Sequence, residues 1–338
     1  MKLPRIGIIG CGAAAKRYYL PALKRYPDLL ESLCLVDHNR QTAQNLATDL
    51  GGGRIFEDYR EILKKVDGVI IAIPHFFHYE VSMDFLNGGV NVLCEKPLAE
   101  TLVEVDQLVN TAKKNNVSLS VNNTRRMFPN FRWVKENISS GKMGKLKKIE
   151  YREGSVFAWP SETGFYVNPK VSSKGVLLDI GSHVVDTIAW WLGGKPNLID
   201  YKDDSFGGPE SLAKIRAEFN DCRVNILLNR LAELDNQFSL TFEAGTLQGG
   251  IFEWGQVKTK DGSDVEKIVK IKYEAKTYPD FVKPVVDNFI KIMTDKATPL
   301  VSGEDVGHAV AVIEECYNNR KKLNSEWYQN LEKIVGKN

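Results

Sequence analysis

No apolar run in the 338-residue chain approaches the roughly 18 residues of a transmembrane helix. The N-terminal MKLPRIGIIGCG has no secretory core with a cleavage site. Cysteine is scarce: Cys11, Cys34, Cys94, Cys222 and Cys316 are odd in number, widely spaced and free of any CxxC. That pattern suits a reducing cytoplasm better than a disulfide framework. Charge of one sign is also lacking, since 45 Lys+Arg against 43 Asp+Glu leaves +2 and no basic stripe. Nucleic acid is therefore not an expected partner. The short cluster Lys142, Lys145, Lys147, Lys148 reads as a solvated turn. Internal repeats and low-complexity segments are absent. The expectation is a cytoplasmic protein without a membrane partner. What is present is apolar content, 43% of the chain, enough for a large core and two domains.

Residues 1–122 alternate short apolar runs with amphipathic ones. Strands are expected at 5–9, 32–36, 54–56, 68–73, 90–94 and 117–121, with helices at 13–26, 40–50, 78–87 and 102–115. The strands lack polar alternation, as a parallel sheet covered on both faces requires. From residue 123 the period changes. Longer alternating strands at 145–156, 213–219, 224–231 and 237–243 imply a mostly antiparallel sheet. Helices are expected at 131–140, 180–192 and 304–322, the middle one stopped by Gly193-Gly194-Lys195-Pro196. The fold class is α/β: a doubly wound Rossmann domain over 1–122, then an α+β domain over 123–338 whose last helix can pack back on the first.

The first strand ends in Gly10-Cys11-Gly12-Ala13-Ala14-Ala15, a GxGxxA turn before a helix. The first glycine permits the turn, the second admits a pyrophosphate, and Ala15 lets helix pack on strand. The helix N-terminus then offers unpaired N–H groups to the phosphates. Asp37, at the end of the second strand, suits the adenosine ribose hydroxyls and favours NAD; it also stands where a helix N-cap would. Arg40 could instead meet the 2′-phosphate of NADP, and His38 could touch the adenosine.

Two further strands lead into Ile73-Pro74-His75-Phe76-Phe77-His78 and Glu95-Lys96-Pro97, at the carboxyl edge where such sheets bind ligands. A lysine there can face a substrate, and the following proline can be cis. His75 and His78 lack the third ligand a metal needs, so no metal is expected. His78 caps the next helix or touches the cofactor. In the second half, Asp179 and His183 are spaced i, i+4 on one helix face. Histidine carries protons at neutral pH and a carboxylate can orient it; a capping aspartate with a core histidine is the alternative. Asp186 reads as structural, and Trp190 and Trp191 as core or interface.

Taken in order, GIIGCGAAAKRYYLPAL, IAIPHFFHYEVSMDFLNGGVNVLCEKPLAET, GVLLDIGSHVVDTIAWWLGG and PLVSGEDVGHAVAVIEECY resemble the Gfo/Idh/MocA family of glucose–fructose oxidoreductase and inositol dehydrogenase. The resemblance implies a dinucleotide-binding domain before an α/β domain with a large open sheet, which often joins dimers or tetramers. It implies that Lys96 is the EKP lysine of the active site and that Asp179 and His183 belong to a DxxxH motif. Glu95 joins the cofactor edge, and Asn123 and Arg126 of VNNTRRMFP become candidates near nicotinamide or substrate. The stretch Ser155 to Gly175 is expected to line the substrate cleft, with Trp159, Phe165 and Tyr166 able to stack on a sugar. One departure is Tyr19, where relatives commonly carry histidine; its helix is expected to face the phosphates rather than the chemistry. The expected activity is hydride transfer between NAD, or NADP, and a secondary alcohol of a sugar or cyclitol. A dinucleotide-binding sensor and an NAD-dependent glycosidase are the competing readings.

Overall fold

The short apolar runs of the first half lie side by side. The computed structural model describes residues 3–158, 174–205, 208–262 and 265–323. Strands β1 (Ile6–Ile9), β2 (Cys34–Val36), β3 (Arg54–Phe56), β4 (Gly68–Ile71), β5 (Asn91–Glu95) and β6 (Leu119–Asn122) form one parallel sheet in the order β3-β2-β1-β4-β5-β6. β1, β4 and most of β5 are buried, which is why their sequences carry no polar alternation. The order reverses between β1 and β4, and ligands of such sheets bind at that crevice.

The first helical segment departs from expectation. Residues 13–23 are helical, with a π turn at Ala15–Tyr19 and then α1 (Leu20–Leu23). Pro21 has no N–H to donate, and before it the turn widens so that Leu20 N–H reaches Ala15 O. The chain turns at 24–26 and resumes as α2 (Pro27–Leu30), because proline disfavours helix in the residue before it. α3 (Arg40–Leu50), α4 (His78–Asn87) and α5 (Leu102–Lys114) follow as expected. α5 opens with a capping box of Thr101 and Glu104.

The second half builds α6 (Pro129–Ser140), β7 (Leu146–Gly154), α7 (Val176–Leu192), β8 (Asn197–Asp203), β9 (Leu212–Phe219) and β10 (Cys222–Asn229). It continues with β11 (Gln237–Phe242), β12 (Gly245–Gly250), β13 (Gln256–Asp261), β14 (Glu266–Lys270), α8 (Lys283–Asp295), α9 (Gly307–Asn318) and β15 (Lys321–Lys322). The nine-stranded sheet runs β14-β13-β12-β11-β7-β10-β9-β8-β15; only β10–β7 and β15–β8 pair in parallel. Inward residues Ile149, Tyr151, Val224, Ile226, Phe238 and Leu240 meet α6 and α7 in one core. Trp191 is fully buried there, edge-on to Phe131 and Phe238, and its Nε1 donates to Phe131 O at 3.0 Å.

Strands β8, β12, β13 and β14 have no counterpart in the sequence reading, and three helical elements also differ from it. The helix expected over 304–322 stops at Asn318, and residues 321–322 become strand. α8 is an added helix; its Val285, Val286 and Phe289 pack under β1 in the first sheet's core. α7 begins four residues before the expected Ile180. The buried carboxylate of Glu210 accepts from Gly175 N at 3.0 Å and Leu177 N at 2.9 Å, capping the helix from a distant segment. That earlier start places Asp179 in the first turn, facing the carboxyl edge of the parallel sheet.

Candidate active site

A cleft of about 1220 Å³ runs along that edge and is walled on its far side by α7 and the second sheet. This exceeds the roughly 300–1,000 Å³ of a single small-ligand pocket. At one end lies the glycine turn. Gly10 has φ of 89°, and a Cβ there would stand 2.5 Å from Ala72 O. Only glycine suits that backbone. Around Gly12, by contrast, a Cβ would meet nothing within 4 Å, and Gly12, Ala13 and Ala14 line the cleft. This open cradle before a helix fits a pyrophosphate. Cys11 and Ala15 do not face it: both side chains are buried in the core, and Cys11 serves through its N–H, which donates to Asp37 Oδ2 at 2.9 Å.

Asp37 also accepts from Asn39 N at 2.9 Å, so two bonds orient its carboxylate and leave lone pairs toward the cleft. The cap of α3 is Asn39, not Asp37. His38 lines the rim. Arg40 does not; its guanidinium pairs with Glu57 at 3.1 Å, both side chains being more than half exposed. Glu57 and Asp58 add further carboxylates to the rim beside Asp37. These residues fit an adenosine ribose with free hydroxyls.

Ile73, Pro74, His75, Glu95 and Lys96 line the middle of the cleft. The Lys96–Pro97 peptide is cis. Lys96 Nζ donates to Asp179 O at 2.9 Å and to Asp179 Oδ1 at 3.2 Å. Asp179 Oδ2 accepts from Arg230, which also reaches Ser155 Oγ at 3.4 Å. Burial would raise the Asp179 carboxyl, but Lys96 and Arg230 outweigh it and hold it below the usual range. His183 lies one turn along on the same cleft wall. Its Nδ1 is buried without a hydrogen-bond partner among the described residues. Burial first, then the cations Lys96, Arg125 and Arg230, push the imidazole well below its ordinary value, so it is neutral at pH 7. The expectation that Asp179 orients His183 needs correction: no hydrogen bond joins them, and the carboxylate is directed instead to Lys96 and Arg230.

The stretch after β6 also departs from expectation. Arg126 does not line this cleft. It is buried against Asp186, with Nε–Oδ2 at 2.9 Å and Nη2–Oδ1 at 2.7 Å, so Asp186 is structural as read. Of these two neighbours, Arg125 is the one on the cleft. In the tight turn Thr124–Met127, adjacent side chains diverge, and sequence spacing alone could not choose between the two. Arg125 forks onto Glu153 with two bonds of 2.6 Å. Asn123 likewise faces the interior, whereas Asn122 and Thr124 line the cleft. Asn122 Nδ2 donates to Glu95 Oε1 at 2.8 Å, and Tyr19 OH donates to the same oxygen at 2.7 Å. Tyr19 therefore supports the residue beside Lys96 rather than the phosphates. Burial raises the Glu95 carboxyl, opposed by these two donors.

His75 meets Glu100 at 3.2 Å, and Glu100 in turn pairs with Lys174, tying the first sheet to the start of α7. The His75 hydrogen bond, helped by Lys174, pulls Glu100 down to about 2. His78 lines the cleft but is used structurally, its ring nitrogens lying 2.7 Å from Pro97 O and 2.9 Å from Ile73 O. Among the described residues no three His, Cys, Asp or Glu side chains gather as a metal site. Trp159, Phe165 and Tyr166 lie outside the described residues. Besides Tyr18, Tyr59, Phe76 and Phe77 of the first half, the cleft is lined by Phe252, Trp254 and Tyr278, from segments with no sequence signal of a site. A signal did exist for Glu153: it is a charged residue at an inward position of the alternating strand β7.

Comparison with known proteins follows this geometry. The family model described as "Oxidoreductase family, NAD-binding Rossmann fold" matches residues 4–123. The model of the GFO/IDH/MocA C-terminal domain matches residues 131–248. Glucose-6-phosphate 3-dehydrogenase of Bacillus subtilis is 30% identical over 197 residues, 56% of this chain and 54% of its own length. D-glucoside 3-dehydrogenase of Escherichia coli is 29% identical over 194 residues, with the same coverages of 56% and 54%. The chain thus spans about half the length of the curated relatives it matches. A 3-ketoreductase from Actinomadura kijaniata, crystallised with NADP and TDP-benzene, shares the fold at TM-score 0.82 and 19% identity, covering 95% of this chain and 99% of its own. Both halves of the sequence and both sheets lead to one assignment: the chain belongs to the GFO/IDH/MocA oxidoreductase family.

Proposed function

We propose that the protein catalyses NAD(P)-dependent interconversion of a secondary alcohol and a ketone on a sugar or sugar derivative. The observation that carries this reading is the contact of Lys96 with Asp179, which joins the dinucleotide edge to the helix bearing His183. Gly10, Gly12, Ala13 and Ala14 would hold the pyrophosphate and Asp37 the adenosine ribose, with Glu95 and Lys96 near the nicotinamide. A bound nicotinamide dinucleotide supplies the hydride donor or acceptor. Lys96, with two of its three N–H groups directed to Asp179, offers the third to the reacting oxygen. Neutral His183 takes the hydroxyl proton in oxidation and returns it in reduction. Three neighbouring cations disfavour its imidazolium, which speeds return of the proton. Trp254 and Phe252 offer apolar faces to a sugar ring. The Asp37 carboxylate at the rim, oriented by two backbone N–H groups, supports NAD over NADP.

The names of two relatives, which place oxidation at position 3 of a glucose unit, support a hexose-derived substrate. We read residues 1–122 as the dinucleotide-binding unit, completed by α8, and the remainder as the substrate unit. We also read the protein as cytoplasmic, its five cysteines being free and buried, and as a homo-oligomer through the open face of the large sheet. A panel of sugars and sugar nucleotides, followed by NADH and NADPH absorbance, tests the activity. Lys96→Ala and His183→Ala proteins should still bind the dinucleotide yet turn over at least about a hundredfold more slowly. Undiminished turnover by either variant refutes the assignment of roles.

A further inference from the structure

Resting on the catalytic reading above, we propose that Arg230 is a positioning residue: it shares the Asp179 carboxylate with Lys96 and thereby withholds it from His183. Arg230 follows β10, and its guanidinium pairs with Asp179 Oδ2 while Lys96, from the opposite domain, holds Oδ1. It also reaches Ser155 Oγ and lies 5.4 Å from the Phe157 ring centre, so its plane is fixed on three sides. His183 stands four residues after Asp179, on the same helix face, where i, i+4 side chains meet. Despite that spacing the two make no hydrogen bond, and His183 Nδ1 stays without a partner among the described residues. An aspartate four residues before a histidine would ordinarily orient it and raise its basicity. Here two cations set the direction of the carboxylate instead.

The charged groups around His183 are consistent with this division. Lys96 faces it from the end of β5, Arg125 from the turn after β6 and Arg230 from the end of β10. Glu153 on β7 is locked onto Arg125 by two bonds of 2.6 Å. From α6, Lys135 reaches the far end of α7 at Trp190 O, 2.7 Å away. From α9, Tyr317 bonds Glu210 at the start of α7, 2.8 Å away. On α7 itself, Asp186, three residues after His183, is held by two bonds from Arg126, and Asp179, four residues before it, is held by Lys96 and Arg230. Arg230 thus keeps the histidine neutral by geometry as well as by charge.

The test is a histidine NMR titration, with the His183 signal assigned by its loss in His183→Gln; the chain has five histidines. In Arg230→Gln the freed Asp179 oxygen turns to His183, and its titration midpoint rises by about one pH unit or more. Charge removal alone would raise it too, so the same substitution is repeated in the Asp179→Asn background. The rise should be at least halved there. Equal rises in both backgrounds overturn the proposal, as does an unmoved midpoint in folded Arg230→Gln. Arg230→Lys, which keeps the charge but loses the fork, should give an intermediate rise and serves if the Gln variant does not fold. With substrate, Arg230→Gln should lower kcat at pH 7 about tenfold and leave dinucleotide affinity within about twofold. If the wild type turns over no sugar, the functional reading fails on its own; the NMR result still decides the role of Arg230.

Discussion

Replacing Glu153 by glutamine removes one charge from a pair that is almost wholly buried. Arg125 and Glu153 are 7% and 6% exposed and meet through two bonds of 2.6 Å. In such a fork the charge centres lie roughly 4 Å apart, and an effective dielectric of about 20 gives about 4 kcal/mol of attraction. Glutamine restores one acceptor but strands the guanidinium charge, which costs about 3–5 kcal/mol in buried pairs. Tyr151 OH, 3.3 Å from Nη1, cannot neutralise it. Guanidinium unfolding followed by tryptophan fluorescence, the six tryptophans all lying beyond residue 122, should show this loss as an earlier transition. The matching experiment is Arg125→Met with Glu153→Leu. Removing both charges should recover most of the stability, because well-packed apolar side chains replace buried ion pairs at little cost. The double variant should nevertheless lose turnover, since both side chains line the cleft. A loss below about 1 kcal/mol in Glu153→Gln refutes the reasoning. So does a double variant as unstable as the single one.

Gly12→Ala should leave the melting temperature nearly unchanged, because a Cβ there meets no protein atom within 4 Å. Fluorescence titration should nonetheless show NADH binding at least about tenfold weaker, since the methyl enters the pyrophosphate space. Glu100 lies at about 2 in the fold, below its ordinary 4.5. Its contribution, roughly 3 kcal/mol, is therefore whole above about pH 4.5 and disappears as the pH falls toward 2. Glu100→Gln should accordingly be clearly less stable than wild type at pH 7 and nearly equal to it only at about pH 2 and below. Asp37→Ser should raise the NADP-to-NAD ratio of kcat/KM at least about tenfold, by removing the charge that meets a 2′-phosphate. An unchanged ratio would move cofactor selection to Glu57 and Asp58.

Local signals located much of this site. A strand followed by GxGxxA and a helix is a contiguous feature, and Gly10 takes its positive φ from the chain itself. The EKP lysine and the i, i+4 pair of Asp179 and His183 are equally local. Their mutual contact was expected only through a family resemblance. Arg125 and Arg126 show the limit: two neighbouring arginines, one turned to the cleft with Glu153 and one to the core with Asp186. Which partner each takes depends on acidic residues 28 and 60 positions away.

The sequence by itself determined the two periods, the parallel and mixed sheets they imply, and the residue types gathered at the strand ends. Periodicity and turn chemistry act between near neighbours, so one chain can be read for them. Tertiary structure decided where α7 begins, because its cap is the carboxylate of Glu210. It decided that α8 returns to the first sheet, that Tyr19 braces Glu95, and that Asp179 serves two cations rather than His183. Each of these rests on a buried polar or apolar group finding a partner far along the chain. Such pairing is set by packing, which spacing in the sequence does not encode.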